Sequence, residues 1–227
     1  MESVWWAFKQ LLLKNLVYKQ YKVCFYSYPL QSPLSNFEVQ QNYKEKHTTS
    51  CYVKFPIINI PEQPSSLKVY TADLAFLTNI KSETKIYMVA WTTTPWTLVA
   101  NCALCVNPSL IYKFYLSAMD NNIYVMESNN INFKGDMIGS CIGSELVGWN
   151  YEPPFPYLNQ TITIFKIVAD NYVTTAEGTI GTGIVHLAAA FGEDDNRVCL
   201  ENNIVTSSMI PLVCPIDENC RYLPVIT

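Results

Sequence analysis

The sequence predicts a β-rich α+β fold of a barrel-like kind. Three observations carry that expectation. The apolar runs are short, turn residues interrupt them at close intervals, and few stretches have the period of a helix. At 227 residues the chain is long enough for one sizeable core. There is no solenoid-type repeat: Gly178-Thr179-Ile180 before Gly181-Thr182-Gly183 is at most a small local duplication.

Residues 2–19 have the period of an amphipathic helix, with Val4, Phe8, Leu11, Leu12 and Leu16 sharing a face. Residues 22–28 alternate like a strand, and the polar, turn-rich residues 29–47 suit a connector. The globular part then opens with a strand near 51–58, followed by a loop over 61–84 with short strand pieces. Ile86-Tyr87-Met88-Val89-Ala90 is an apolar run expected to be a buried strand. Cys102-Ala103-Leu104-Cys105 fits a buried strand better than half of a zinc site. Asn107-Pro108 marks a turn before a strand at 110–116, and Asp120-Asn121-Asn122 a hairpin turn into 123–126. After Pro153-Pro154-Phe155-Pro156, strands are expected near 161–168, 172–174 and 183–186, and a helix over 192–202.

Composition narrows the function classes. Hydrophobic residues make up 49% and charged residues 15%, which is lean in charge for a free-standing domain and suits a piece with neighbours to cover it. A net charge of −4 argues against wide, charge-driven gripping of a duplex. No run is long enough for a transmembrane helix, and Met1-Glu2 lacks the basic start of a signal peptide, so no membrane partner is expected. The eight cysteines then read as free thiols in a reducing compartment. With two histidines, His47 and His186, no metal is expected. Neither a P-loop nor a dinucleotide fingerprint occurs. His186 has no Gly-x-Ser-x-Gly partner for a serine triad, and neighbouring side chains on a helix, as in Asp194 and Asp195, diverge too much for a two-carboxylate glycosidase.

Two stretches carry chemistry. Trp91-Thr92-Thr93-Thr94-Pro95-Trp96-Thr97-Leu98 places three hydroxyls directly after the buried strand. Pro95 suits the first position of a helix and Thr94 its cap, so hydroxyls and free backbone N–H groups gather at the elbow. An ester, a phosphate or a water could be held there. The second stretch is Gly181-Thr182-Gly183-Ile184-Val185-His186-Leu187-Ala188-Ala189-Ala190-Phe191-Gly192-Glu193-Asp194-Asp195. It reads as a close-approach turn, a short buried strand ending near His186, and an acidic first helical turn.

Together the two stretches resemble the editing domain of the isoleucyl-tRNA synthetases, the connective insertion shared with the valyl and leucyl enzymes. The first matches Trp-Thr-Thr-Thr-Pro-Trp-Thr-Leu-Pro-Ala/Ser-Asn from Trp91 to Asn101, with Val99 in place of Pro. Valyl and leucyl relatives normally have Arg-Pro-Glu after the leading threonines, so Thr94-Pro95-Trp96 favours the isoleucyl branch. The second resembles Gly-Thr-Gly-x-Val-His-x-Ala-Pro-x-x-Gly-x-x-Asp, with Ala189 in place of Pro. Phe191-Gly192-Glu193-Asp194 with Arg197-Val198-Cys199 is similar to the eukaryotic cytosolic enzymes. The likeness extends to Glu2-Ser3-Val4-Trp5-Trp6, Pro33-Leu34-Ser35-Asn36-Phe37-Glu38, Leu146-Val147-Gly148 and Tyr151-Glu152-Pro153.

The resemblance implies a division into 1–48, a helix and connector from the synthetase body; 49–206, the editing domain; and 207–227, a connector back to the body. It implies post-transfer editing in the cytoplasm: hydrolysis of the ester of mischarged valyl-tRNA(Ile), presented by the 3′-terminal adenosine, without a cofactor. The ATP-handling motifs His-x-Gly-His and Lys-Met-Ser-Lys-Ser are absent from these residues, so amino-acid activation is not expected of them. Hydrophobic selection separates valine from isoleucine by only about 1–3 kcal/mol, a figure established on isoleucyl enzymes themselves rather than derived from this chain. By the resemblance, Thr92, Thr93 and Thr94 hold the adenosine, the ester carbonyl and the attacking water. Asp195 binds the α-ammonium, Trp96 and His186 wall the side-chain pocket, and Asn101 orients polar groups. Two alternatives stand beside this reading: a module that binds the tRNA 3′ end without hydrolysis, and a valyl- or leucyl-type editor.

Overall fold

The computed structural model describes residues 1–61, 84–127, 133–158, 161–162, 165–175 and 181–226. In chain order its elements begin with α1 (Glu2–Leu13), β1 (Tyr26–Ser27), β2 (Ser32–Pro33) and α2 (Asn36–Val39). Next come β3 (Cys51–Asn59), β4 (Ile86–Thr92), a 3₁₀ helix at Pro95–Ala100, β5 (Ala103–Val106), β6 (Ile111–Ser117) and β7 (Ile123–Met126). The series continues with β8 (Gly135–Ile142), β9 (Asn150–Tyr151), β10 (Ile167–Ala169), β11 (Ile184–Leu187) and α3 (Glu193–Glu201).

Among the described residues the strands form a six-stranded sheet in the order β8-β6-β7-β4-β3-β9 and a three-stranded sheet in the order β10-β5-β11. The large sheet is antiparallel except where β4 runs parallel to β7, Ile86 beside Ile123. In the small sheet β5 runs parallel to β10 and antiparallel to β11. The sequence's β-rich α+β class is therefore the observed one, but the sheets do not close into a barrel among the described residues.

The core lies between the sheets. Phe55, Met88, Phe114 and Trp149 come from the large-sheet side, and Leu104, Ile167 and Leu187 from the small sheet, all without exposed surface. Side chains of this size each stabilise the fold by about 1.5–3 kcal/mol when fully buried. All four β5 residues are buried, which explains why this strand reads as a continuous apolar run. Cys102 and Cys105 lie in and beside it as buried free thiols. Apolar packing also brings β11 against β4, strands that are not hydrogen-bonded to each other. That contact joins the two motifs.

Several elements differ from their sequence reading. The first helix stops at Leu13 rather than near residue 19, since Asn15 turns the chain into the left-handed region with φ 55°. No α1 residue is buried, so among the described residues its apolar side lacks the tertiary burial that would lengthen it. Of 22–28 only Tyr26–Ser27 pairs, with Ser32–Pro33. Residues 172–174 form no strand, because the Asp170 carboxylate accepts the Tyr172 N–H at 2.8 Å and curls the chain into a turn. The strand expected over 161–168 is found at Ile167–Ala169, with 163–164 outside the described residues. The expected loop over 61–84 and the segment Gly178-Thr179-Ile180 also fall largely or wholly outside them.

β8 was not expected. Its Gly135, Asp136 and Gly139 are poor strand formers, and its place depends on pairing with β6 across an irregularity at Phe114/Tyr115.

Candidate active site

Strand β4 delivers Thr92 buried at its end, after which Pro95 opens the 3₁₀ helix. Thr94 occupies the cap position, yet its hydroxyl does not cap the helix as the sequence suggested. The bonding is shifted to its neighbours. The Thr94 N–H donates to Thr92 Oγ1 at 3.1 Å, and the Thr97 hydroxyl donates to the Thr94 carbonyl at 2.8 Å. A three-residue turn puts Thr94 and Thr97 on one side, with their Oγ1 atoms 3.4 Å apart. Thr92 and Thr94 Oγ1 are 3.3 Å apart, completing a row of hydroxyls.

Strand β11 brings His186 to that row, with Nε2 3.0 Å from Thr97 Oγ1. The ring is buried, and burial, which penalises the cation, lowers its pKa from 6.5 to about 4. It is a neutral imidazole at physiological pH.

Helix α3 supplies Asp195 from its first turn. The carboxylate bends back toward β11: Oδ2 accepts the Ala188 N–H at 2.9 Å, and Oδ1 the Tyr172 hydroxyl at 3.4 Å. Burial raises its pKa above the usual value, against the lowering effect of these two donors. Asp194 diverges, exposed and 3.4 Å from Arg197.

Thr92, Thr94, Trp96, His186 and Asp195 line one cavity of about 310 Å³, together with Thr97, Phe191 and Gly192. Thr93, in the bend after β4, lines a neighbouring cavity of about 360 Å³ with Thr174 and Gly181–Val185. Trp91, Thr92 and Val185 belong to both. A larger cleft of about 640 Å³ lies between residues 18–23 and α3, but contains none of the threonines nor His186 or Asp195. Volume is a poorer guide to the site here than the convergence of hydroxyls, imidazole and carboxylate.

Asn101 stands apart from both cavities. It is buried, donating to the Ala103 carbonyl at 3.1 Å and accepting from the Tyr151 hydroxyl at 2.6 Å. The sequence reading missed Thr97, Tyr172 and Gly192. Thr97 could have been found from its three-residue spacing to Thr94, whereas nothing in the sequence places Tyr172 near Asp195.

Chemically, the cavity offers hydroxyls on one wall and a lone carboxylate on the other. A half-dry carboxylate favours a bound cation such as an ammonium. The Thr92 hydroxyl accepts the Thr94 N–H and has one proton to donate, to Thr94 Oγ1 at 3.3 Å or to a bound group. No group of three or more His, Cys, Asp or Glu side chains able to hold a metal occurs among the described residues.

A family profile described as class I tRNA synthetases (I, L, M and V) matches residues 1–194. The chain belongs to this family. It is 40% identical over 232 residues to the cytoplasmic isoleucine–tRNA ligase of Saccharomyces cerevisiae, covering 98% of this chain and 19% of that protein. It is 39% identical over 236 residues to the isoleucine–tRNA ligase of Tetrahymena thermophila, covering 100% and 19%, and 37% identical over 230 residues to that of Chlamydia trachomatis, covering 98% and 19%. The chain thus spans about a fifth of the length of these synthetases.

Its fold resembles the solved GlLeuRS-CP1 structure, with a TM-score of 0.51 at 21% identity over 78% of this chain and 70% of the other. The Plasmodium falciparum cytosolic leucyl-tRNA synthetase editing domain gives 0.50 at 16% identity over 67% and 65%. The fold is that of a synthetase CP1 editing domain. No helix among the described residues is long and apolar enough to cross a membrane.

Proposed function

We propose that this chain is the editing module of an isoleucine–tRNA ligase and hydrolyses the ester of mischarged valyl-tRNA(Ile). The observation that carries the reading is the shared cavity of Thr92, Thr94, His186 and Asp195, assembled from segments about ninety residues apart. Residues 49–206 form the working domain, with 1–48 and 207–227 as connectors to the rest of the synthetase. The two connectors meet, Gln31 Nε2 donating to Asn219 Oδ1 at 2.7 Å, which supports entry and exit at one place. Similarity to cytoplasmic ligases supports a cytoplasmic location.

In this reading Asp195 holds the α-ammonium of the esterified valine. The Thr92 hydroxyl donates to the ester carbonyl oxygen, on which negative charge grows as water attacks the carbonyl carbon. Thr94 orients that water, and the ribose oxygen leaves with a proton. Thr93, facing the neighbouring cavity, contacts the terminal adenosine. Trp96 and His186 bound the side-chain space. Positioned water and fixed dipoles require no cofactor.

Deacylation of valyl-tRNA(Ile) by the purified chain tests the reading. Release of valine at least about a hundredfold faster than spontaneous hydrolysis is expected, the range removed when one oxyanion donor is lost. Protection of the ester, with binding but no acceleration, would instead establish a binding-only module.

A further inference from the structure

Trp96 lines the cavity, yet it is 53% exposed, so core packing alone holds its ring weakly. Its backbone lies in the first turn of the 3₁₀ helix, where Pro95 has no N–H to donate and no side chain caps the end. Helices of this kind are short and poorly bonded. A contact from outside the helix supplies further hold. The Tyr222 hydroxyl donates to the Trp96 carbonyl at 2.6 Å, across 126 residues of sequence.

Tyr222 is itself firmly placed. It pairs with Ile216 across a turn in which the Asp217 N–H donates to the Arg221 carbonyl at 2.8 Å. The Asp217 carboxylate accepts the N–H groups of Asn219 and Arg221 at 2.8 and 2.9 Å. Two residues of the 1–48 segment grip the same turn: the Tyr26 hydroxyl donates to the Glu218 carbonyl at 3.0 Å, and Gln31 bonds Asn219. The turn where the two ends of the chain meet is thus followed directly by the tyrosine that holds a wall of the cavity.

We propose that Tyr222 is a positioning residue: its bond to the Trp96 carbonyl fixes the first turn of the 3₁₀ helix, and with it the indole that bounds the cavity. The segment leaving the editing domain is thereby a working part of the site. Its consequence for selectivity rests on the deacylase reading above, whereas the placing of the indole does not.

The experiment uses the full chain labelled with ¹³C,¹⁵N-tryptophan and ¹⁵N-threonine. The sequence has two Trp-Thr pairs, Trp91-Thr92 and Trp96-Thr97, so carbonyl-to-threonine-amide correlation gives two peaks, and Trp96→Phe identifies the carbonyl and indole signals of Trp96. Tyr222→Phe removes one hydroxyl. It is expected to move both Trp96 signals and leave those of Trp91 in place. Side-by-side deacylation of valyl- and isoleucyl-tRNA(Ile) should show about a tenfold loss of preference for the valyl ester, as for a poorly bounded apolar pocket. Tyr26→Phe, which breaks the other tyrosine bond on this turn, should keep the wild-type signals and preference.

Unmoved Trp96 signals in Tyr222→Phe overturn the proposal. So does an unchanged ester preference in an active Tyr222→Phe chain, including equal slowing of both esters, which would make Tyr222 a clamp of the fold only. The same changes in Tyr26→Phe would assign the effect to general loosening and overturn it as well. Moved Trp96 signals, in a protein whose wild-type chain deacylates neither ester, would support the positioning role and sink the deacylase reading alone.

Discussion

The Asp195 carboxylate lies directly against Gly192: a Cβ added there would stand 2.8 Å from both Cγ and Oδ2. Gly192 has φ −112° and ψ 138°, a conformation open to any residue, so its smallness serves the carboxylate rather than the backbone. Gly192→Ala is therefore expected to move Asp195 off the Ala188 N–H while leaving the backbone unstrained. Deacylation should fall by about tenfold or more, since one misplaced group can cost that much, with little change in Tm. Full activity in this variant would show that the carboxylate position is not critical.

Asp195→Asn should separate function from stability. Burial raises the folded-state pKa of Asp195 above the ordinary 3.8, so the folded protein holds this proton more tightly than the unfolded chain. The resulting stabilisation is complete below pH 3.8 and is lost as pH rises through the folded value. At pH 7 the charge opposes folding. Asparagine still accepts the Ala188 N–H, so Tm at pH 7 should not fall, while deacylation drops by at least about a hundredfold. Asp194→Asn, which alters only an exposed pairing, should leave the rate unchanged.

His186 predicts the opposite slope. Its folded-state pKa is depressed from 6.5 to about 4, so its contribution is present above pH 6.5 and lost as pH falls toward 4. The depression corresponds to about 3 kcal/mol at most. Thermal melts between pH 7 and 4 should show this loss, and His186→Gln should flatten the curve. His186→Ala should retain deacylase activity but begin to cleave isoleucyl-tRNA(Ile). Equal slowing of both esters would make the histidine a core residue only.

Much of this was legible in the sequence, for physical reasons that differ between elements. β4, β5 and β7 are short apolar runs with turn residues beside them, and the acidic start of α3 follows a glycine, so local pattern sufficed. β8 is held by its partner β6 despite weak intrinsic preference, and α1 ends early because no packing extends it. Within the site, the motifs identified Thr92, Thr94, Trp96, His186 and Asp195 as cavity-lining residues. They did not reveal that Thr93, in the bend after β4, lines the neighbouring cavity, or that a turn at Asp170 brings the Tyr172 hydroxyl to Asp195. Such placements depend on tertiary packing.

Asn101 illustrates a motif residue with both ends of its side chain engaged in the fold. Asn101→Ala would leave the buried Tyr151 hydroxyl without its acceptor and remove the bond to the Ala103 carbonyl, costing about 1–3 kcal/mol in urea unfolding. The paired variant Asn101→Ala/Tyr151→Phe should recover part of that loss. Deacylation per folded molecule should be nearly unchanged in both. A rate defect in a fully folded Asn101→Ala protein would instead give this residue a direct part in the site.

Side-by-side deacylation of valyl-tRNA(Ile) and isoleucyl-tRNA(Ile) by the wild-type chain tests the central claim most directly. A cavity bounded by His186 and Trp96, with Asp195 on the ammonium and Thr92 on the carbonyl, is expected to release valine rapidly and leave the isoleucyl ester at its spontaneous rate. Equal release of both amino acids, or hydrolysis of the valyl ester that persists when Thr92 and Asp195 are both replaced by alanine, would contradict it.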